Sequence, residues 1–246
     1  MGTTITFKRL LNARLTRSAV ALLATTSLIE CGNVTGFPGI PAIAPGIGNG
    51  VLLVNVQIET IAVNSNGLMA TDFETTIAVR VTRSNAPVTN ARVVVSSMLG
   101  GPVAMIRGAG GTYGATQAGY FRDYTVDVTA DTDSVTSIKG TGPDIWRFAS
   151  PDTGARVPEG RPLNVRWYGM GAPITSFDTL NVDSMSIADT GAFTVPGTAI
   201  MRRDGMDTMD KIRVRRGNEQ QIMGAAPGSS FLTAVRNILT FTVVAP

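Results

Sequence analysis

The sequence predicts an all-β protein, two tandem β-sandwiches placed behind an N-terminal leader and an extended arm. Apolar residues recur at every second position in run after run, as in Val54, Val56 and Ile58 or Ile77, Val79 and Val81. Twenty-seven glycines and thirteen prolines punctuate those runs, and only 16% of the 246 residues are charged, below the usual ~25%. Alternation marks strands with one buried face. The clusters between them, "NSNG" at 64–67, "SNAP" at 84–87, "GGP" at 100–102 and "DTDS" at 131–134, are turns.

The leader comes first. Lys8, Arg9, Arg14 and Arg17 precede an apolar stretch, Ala19–Ile29, and Cys31 follows almost at once. Eleven helical residues span about 17 Å, short of a hydrocarbon core of about 30 Å, so a secretory signal fits better than a spanning helix. Leu28-Ile29-Glu30-Cys31 resembles the lipobox of bacterial lipoproteins. Leu28 matches that pattern, whereas Glu30 stands where the family carries a small residue. The resemblance implies a diacylglycerol on the Cys31 sulfur and attachment to a bilayer of the cell envelope, on its periplasmic or extracellular face. An uncleaved signal anchor and ordinary secretion are the alternatives. Residues 1–31 are thus read as signal peptide and lipobox or anchor.

Residues 32–50 carry no charge and are dense in Gly and Pro, which serve neither helices nor central strands. They read as an extended arm, a free tether between the membrane and the first domain. Its apolar residues Phe37, Ile40, Ile43 and Ile47 are the ones expected to lie along a partner protein or the membrane.

The first sandwich is expected over 51–142 and the second over 143–246, with a short linker near Lys139–Ile145. "AVRVTRSNAPVTNARVVVSS" (78–97) and "GTYGATQAGYFRDYTVDVTA" (111–130) resemble bacterial immunoglobulin-like domains. "SPDTGARVPEGRPLNVRWY" (150–168) resembles the opening strands of another extracellular immunoglobulin-like family, with Leu163, Val165 and Trp167 facing inward. "FTVP", "KIRVRRGN" and "NILTFTVVA" supply later strands, Leu239, Phe241 and Val243 sharing one face.

Composition narrows the function. With no histidine and one cysteine, the usual zinc sites, Ser-His-Asp triads and Cys-His dyads have no residues to build them, nor is there an intramolecular disulfide. Four of the 21 basic residues and one of the 18 acids lie in the first 31. The body therefore has as many acids as bases and lacks the basic field of a nucleic-acid protein. No enzyme activity, cofactor or small-molecule substrate is implied.

Arg213 and Arg215 of "RVRR" share one strand face, where guanidinium groups meet acidic partners or lipid phosphates. No metal site is expected. Asp204, Asp207 and Asp210 come nearest to a calcium loop, but their spacing of three suits a solvated helical turn better than an oxygen cage. Asp127, Asp131 and Asp133 read as turn formers. Tyr113 and Tyr120 sit in glycine-rich sequence and read with Tyr168 as aromatics for protein or sugar contact. The function expected is that of a membrane-anchored scaffold that binds and stabilises a membrane-protein complex, for example one for electron transfer or light harvesting. The alternative is a cell-surface adhesion or glycan-binding module.

Overall fold

The computed structural model describes residues 42–169, 172, 174–179 and 184–246. The leader, Cys31, Phe37 and Ile40 lie outside them. In chain order the strands are β1 Ala42–Ala44, β2 Ile47–Gly48, β3 Leu52–Ala62, β4 Phe73–Arg83, β5 Ala86–Pro87, β6 Arg92–Ser97 and β7 Gly101–Val103. There follow β8 Ile106–Arg107, β9 Thr112–Ala118, β10 Asp123–Ala130, β11 Asp133–Thr141, β12 Phe148–Ser150 and β13 Arg156–Pro158. The last are β14 Leu163–Trp167, β15 Ile174–Thr179, β16 Met185–Ser186, β17 Ala192–Val195, β18 Thr208–Ile222 and β19 Ser230–Val244.

The all-β sandwich class is what the structure shows. One long sheet runs β16-β15-β18-β19-β3-β4-β9-β8, and two smaller sheets, β2-β11-β10-β6-β7 and β12-β14-β17, face it. The first core joins Val54, Ile77 and Val79 of the long sheet to Val95, Val126 and Ile138. The second joins Phe177, Leu239 and Phe241 to Val165, Trp167 and Val195. Each such side chain contributes roughly 1.5–3 kcal/mol when removed from water.

The expected boundary after residue 142 does not divide the long sheet. β19 pairs antiparallel with β18 from Thr208↔Val243 to Gln221↔Ser230. It also pairs in parallel with β3, from Ser230↔Asn55 to Arg236↔Ile61. The reason lies in its sequence: apolar alternation runs from Phe231 to Val243 without a Gly or Pro to break it. Phe231 enters the first core, whereas Val235, Leu239, Phe241 and Val243 enter the second. The Phe231 ring lies on bare backbone at Gly140, where a Cβ would come within 2.1 Å of it.

A polar belt separates the two cores on the inner face. The Thr75 hydroxyl donates to the Gly119 carbonyl at 2.6 Å, so the Thr60 hydroxyl, 2.8 Å away, donates to Thr75. Thr233 Oγ1 and Asn218 Nδ2 both donate to the Thr141 carbonyl, at 3.1 and 3.2 Å, and the Thr141 amide donates to Gln220 Oε1. The linker strand is therefore clamped to the hairpin beneath it. Asn237, fully buried, does the same nearby. Its Nδ2 donates to the carbonyls of Gly67 and Trp146, and its Oδ1 accepts from the Gly67 and Ile238 amides.

The arm expected as a free tether is, over residues 42–50, part of the fold. β1 joins the long sheet beside β18 (Ala42↔Gln220), and β2 joins the facing sheet beside β11 (Ile47↔Thr136). Glycine permits this crossing: a Cβ on Gly48 would stand 2.5 Å from the Gly224 carbonyl oxygen and 2.6 Å from that of Ser134. Backbone bonds from Met223 to Ala44, Lys139 to Pro45 and Gly50 to Gly224 complete the strap.

Candidate interaction surfaces

The strap turns its backbone inward and two of its candidate residues outward. Ile43 is 53% exposed and Ile47 71%. Val51 and Met223 are exposed beside them, Met223 being hydrogen-bonded to Ala44 through the backbone. Register and backbone bonds place all four as a row along the strap, where it crosses from one sheet to the other. Single exposed apolar residues are ordinary, but a contiguous patch is a mark of an interface.

Arg213 and Arg215 lie on the outer face of β18, as their alternation predicts, but neither is a free cation. Arg213 is ion-paired with Asp178 on neighbouring β15. Arg215 reaches Glu59 at 3.3 Å, and Arg236 reaches the same carboxylate oxygen at 2.8 Å. The outer face is an intramolecular charge ladder, so its affinity for an external anion is largely spent within the fold. Sequence alone missed the acids because they come from strands 35 to 177 positions away.

The acidic candidates part company. Asp204 and Gly205 both have positive φ, at 54° and 71°, and Arg203 pairs with Met206 across them. This is a tight β-hairpin turn, not the helical turn expected. Asp207 bonds Arg156 at 2.7 Å. Asp210 is buried on β18, accepting the Lys211 amide. Among the described residues no group of three acidic, Cys or His side chains is arranged to hold a metal ion. Met206 and Met209 are exposed, together with Met201. Asp127 accepts the Ser137 amide, and Asp131 and Asp133 both meet Arg83.

Tyr113 and Tyr120 prove to be core residues. Tyr113 sits on β9, its hydroxyl donating to Val88 and accepting from Ala91. The glycine-rich sequence around it is thus partly a strand. Tyr120 is buried and donates to the Pro143 carbonyl; burial pushes its hydroxyl pKa up. Tyr168 is the exposed aromatic left among the described residues, which leaves no cluster of rings for stacking sugars.

Tyr168 borders an open groove of about 600 Å³ at the junction of the cores, lined also by Arg122, Trp146, Arg147, Arg216 and Asn218. Its deepest cation is Arg216, 6% exposed. Asp189 Oδ2 accepts from Arg216 Nε at 3.0 Å and Nη2 at 2.8 Å, while Oδ1 accepts the Trp167 indole at 2.9 Å. Breaking so buried a pair typically costs about 3–5 kcal/mol. At the mouth, the Arg147 guanidinium lies 4.7 Å from the centroid of Tyr168, and Arg122 pairs with Asp144. A sequence signal existed only for the aromatic partners "WRF" and "WYG"; their meeting depends on the β12–β14 pairing of Phe148 with Trp167.

No protein-family model matches the chain, and no curated protein matches it. Among solved structures it is similar to a chimeric titin Z1Z2-Z1Z2 tandem functionalised with a fibronectin GRGDS peptide. That match has 15% identity, 82% of this chain and 100% of the other, and a TM-score of 0.24. It is similar to the Yersinia pseudotuberculosis adhesin InvE at 14% identity, over 76% of this chain and 60% of the adhesin, with a TM-score of 0.27. The titin Z1Z2 domains in complex with telethonin match at 10% identity, over 84% and 98%, with a TM-score of 0.23.

Proposed function

We propose that this chain is a membrane-anchored protein-interaction module of a bacterial cell envelope, whose strap meets an integral membrane complex. The observation that carries the reading is the apolar row Ile43, Ile47, Val51 and Met223, set on a backbone fixed between two sheets. Because the strap is ordered before any partner arrives, binding there costs little further conformational entropy. Twelve Cα–Cα steps lead from Cys31 to Ile43, the first residue of the row; at about 3.3–3.6 Å each, a lipid on Cys31 keeps Ile43 within about 43 Å of the bilayer. Tethering at that range raises effective concentration, so a modest apolar interface suffices.

Two arms of one experiment test this. Cys31→Ser in the native organism is expected to move the protein from the membrane to the soluble fraction and to abolish co-purification of a membrane complex. Photo-crosslinking residues at 43 and 47 in the full chain are expected to capture a subunit of that complex, whereas one at exposed Arg161 is not. Membrane retention of the Cys31→Ser protein overturns the anchor. Equal capture from positions 43, 47 and 161 overturns the interface.

A further inference from the structure

We infer that the groove at the junction of the two cores is a second binding site, one that seats a carboxylate of an acidic peptide segment on Arg147. Charge accounting singles out this residue. Of the three arginines lining the groove, Arg122 is neutralised by Asp144 and Arg216 by Asp189. Arg147 has no acidic partner among the described residues and rests instead on the face of Tyr168. Cation–π stacking holds a guanidinium flat while leaving its N–H edge free to form a two-point bond with a planar carboxylate. The planar fork is therefore oriented before the ligand arrives, which a lysine ammonium would not be.

The rest of the groove suits a peptide. Its volume of about 600 Å³ lies in the range of built ligand clefts. Trp146, 3% exposed, backs its wall with an aromatic side chain. Two other anionic classes fit less well. A uronate glycan requires stacking rings, and Tyr168 already has Arg147 over it. A bilayer surface is too flat to follow a groove whose floor includes Arg216, 6% exposed.

This inference rests on the reading of the chain as an interaction module but not on its anchor or its strap. It is tested with the full-length protein and three fluorescent probes: hexaglutamate, hexalysine and oligogalacturonate. Hexaglutamate alone is expected to bind, more weakly as salt rises to roughly 0.5 M. Arg147→Glu is expected to weaken that binding at least about tenfold, and Arg147→Lys to recover only part of it. Arg147 and Tyr168 are both exposed, so an unchanged melting temperature is expected and separates lost binding from lost fold. Binding of oligogalacturonate in place of hexaglutamate overturns the peptide assignment. Equal hexaglutamate binding by wild type and Arg147→Glu overturns the site. Neither result touches the crosslinking outcome at positions 43 and 47.

Discussion

Arg215 and Arg236 stand directly opposite each other across the β18–β19 pair, and one carboxylate oxygen of Glu59 holds both. Like charges in that position are destabilising, so Glu59 is the condition on which the pair is tolerated. Glu59→Gln is expected to cost about 1–3 kcal/mol, since the groups are mostly but not wholly out of water. Urea unfolding reads it, and Glu59→Gln combined with Arg215→Gln is expected to recover part of the loss.

Asn237→Ala strands the Gly67 and Trp146 carbonyls and the Gly67 amide. A loss of about 2–4 kcal/mol is expected from buried groups left unpaired. Calorimetry measures it, with tryptophan emission reporting solvent reaching Trp146.

Gly48→Ala sets a methyl group against two carbonyl oxygens that are both backbone. The strap is expected to unclip, costing about 2 kcal/mol or more and exposing residues 42–50 to proteolysis. Gly114→Ala, whose nearest neighbour stands at 3.7 Å, is expected to leave the cleavage pattern unchanged.

Tyr120 makes stability fall at high pH. Burial, then the neighbouring Tyr124, raises its folded pKa above the ordinary 10.0. Its contribution is complete below pH 10 and is lost as pH climbs from there through the raised value. Tyr120→Phe is expected to start about 1–2 kcal/mol less stable, through the lost bond to Pro143, and to show a flatter decline above pH 10 in denaturant titrations.

Asp72 behaves in the opposite sense. The amides of Met69 and Leu68 donate to its carboxylate, both at 2.8 Å, and lower its pKa from the ordinary 3.8. Its support for that turn is present above pH 3.8 and lost as pH falls below it. Amide exchange at Leu68 and Met69 is expected to accelerate over that acid range in wild type and to be insensitive to pH there in Asp72→Asn, once intrinsic exchange is subtracted.

Strand faces were legible in the sequence because period two is a local property. Leu163, Val165 and Trp167 are buried, as are Leu239, Phe241 and Val243, on the sides their alternation indicates. What stayed hidden was set by distant pairing. Nothing local announces that Phe231 belongs to the first core, because its place there depends on β3, about 175 residues earlier. For the same reason Arg213 and Arg215 read as free cations until Asp178 and Glu59 are seen across the sheet. The glycines at 46 and 48 read as tether composition, yet their role is to let backbone approach backbone. The Asp204 turn was misread because a spacing of three fits both a helical turn and a hairpin whose tip is Asp204-Gly205.

A hairpin of two fifteen-residue strands, each rising about 3.4 Å per residue, is a bar some 50 Å long embedded in both sandwiches. Such a bar removes the joint that tandem domains usually possess. The seam near Ile47 and the exposed methionines at 201, 206 and 209 therefore keep one separation, and the fold between them works as a strut rather than a hinge.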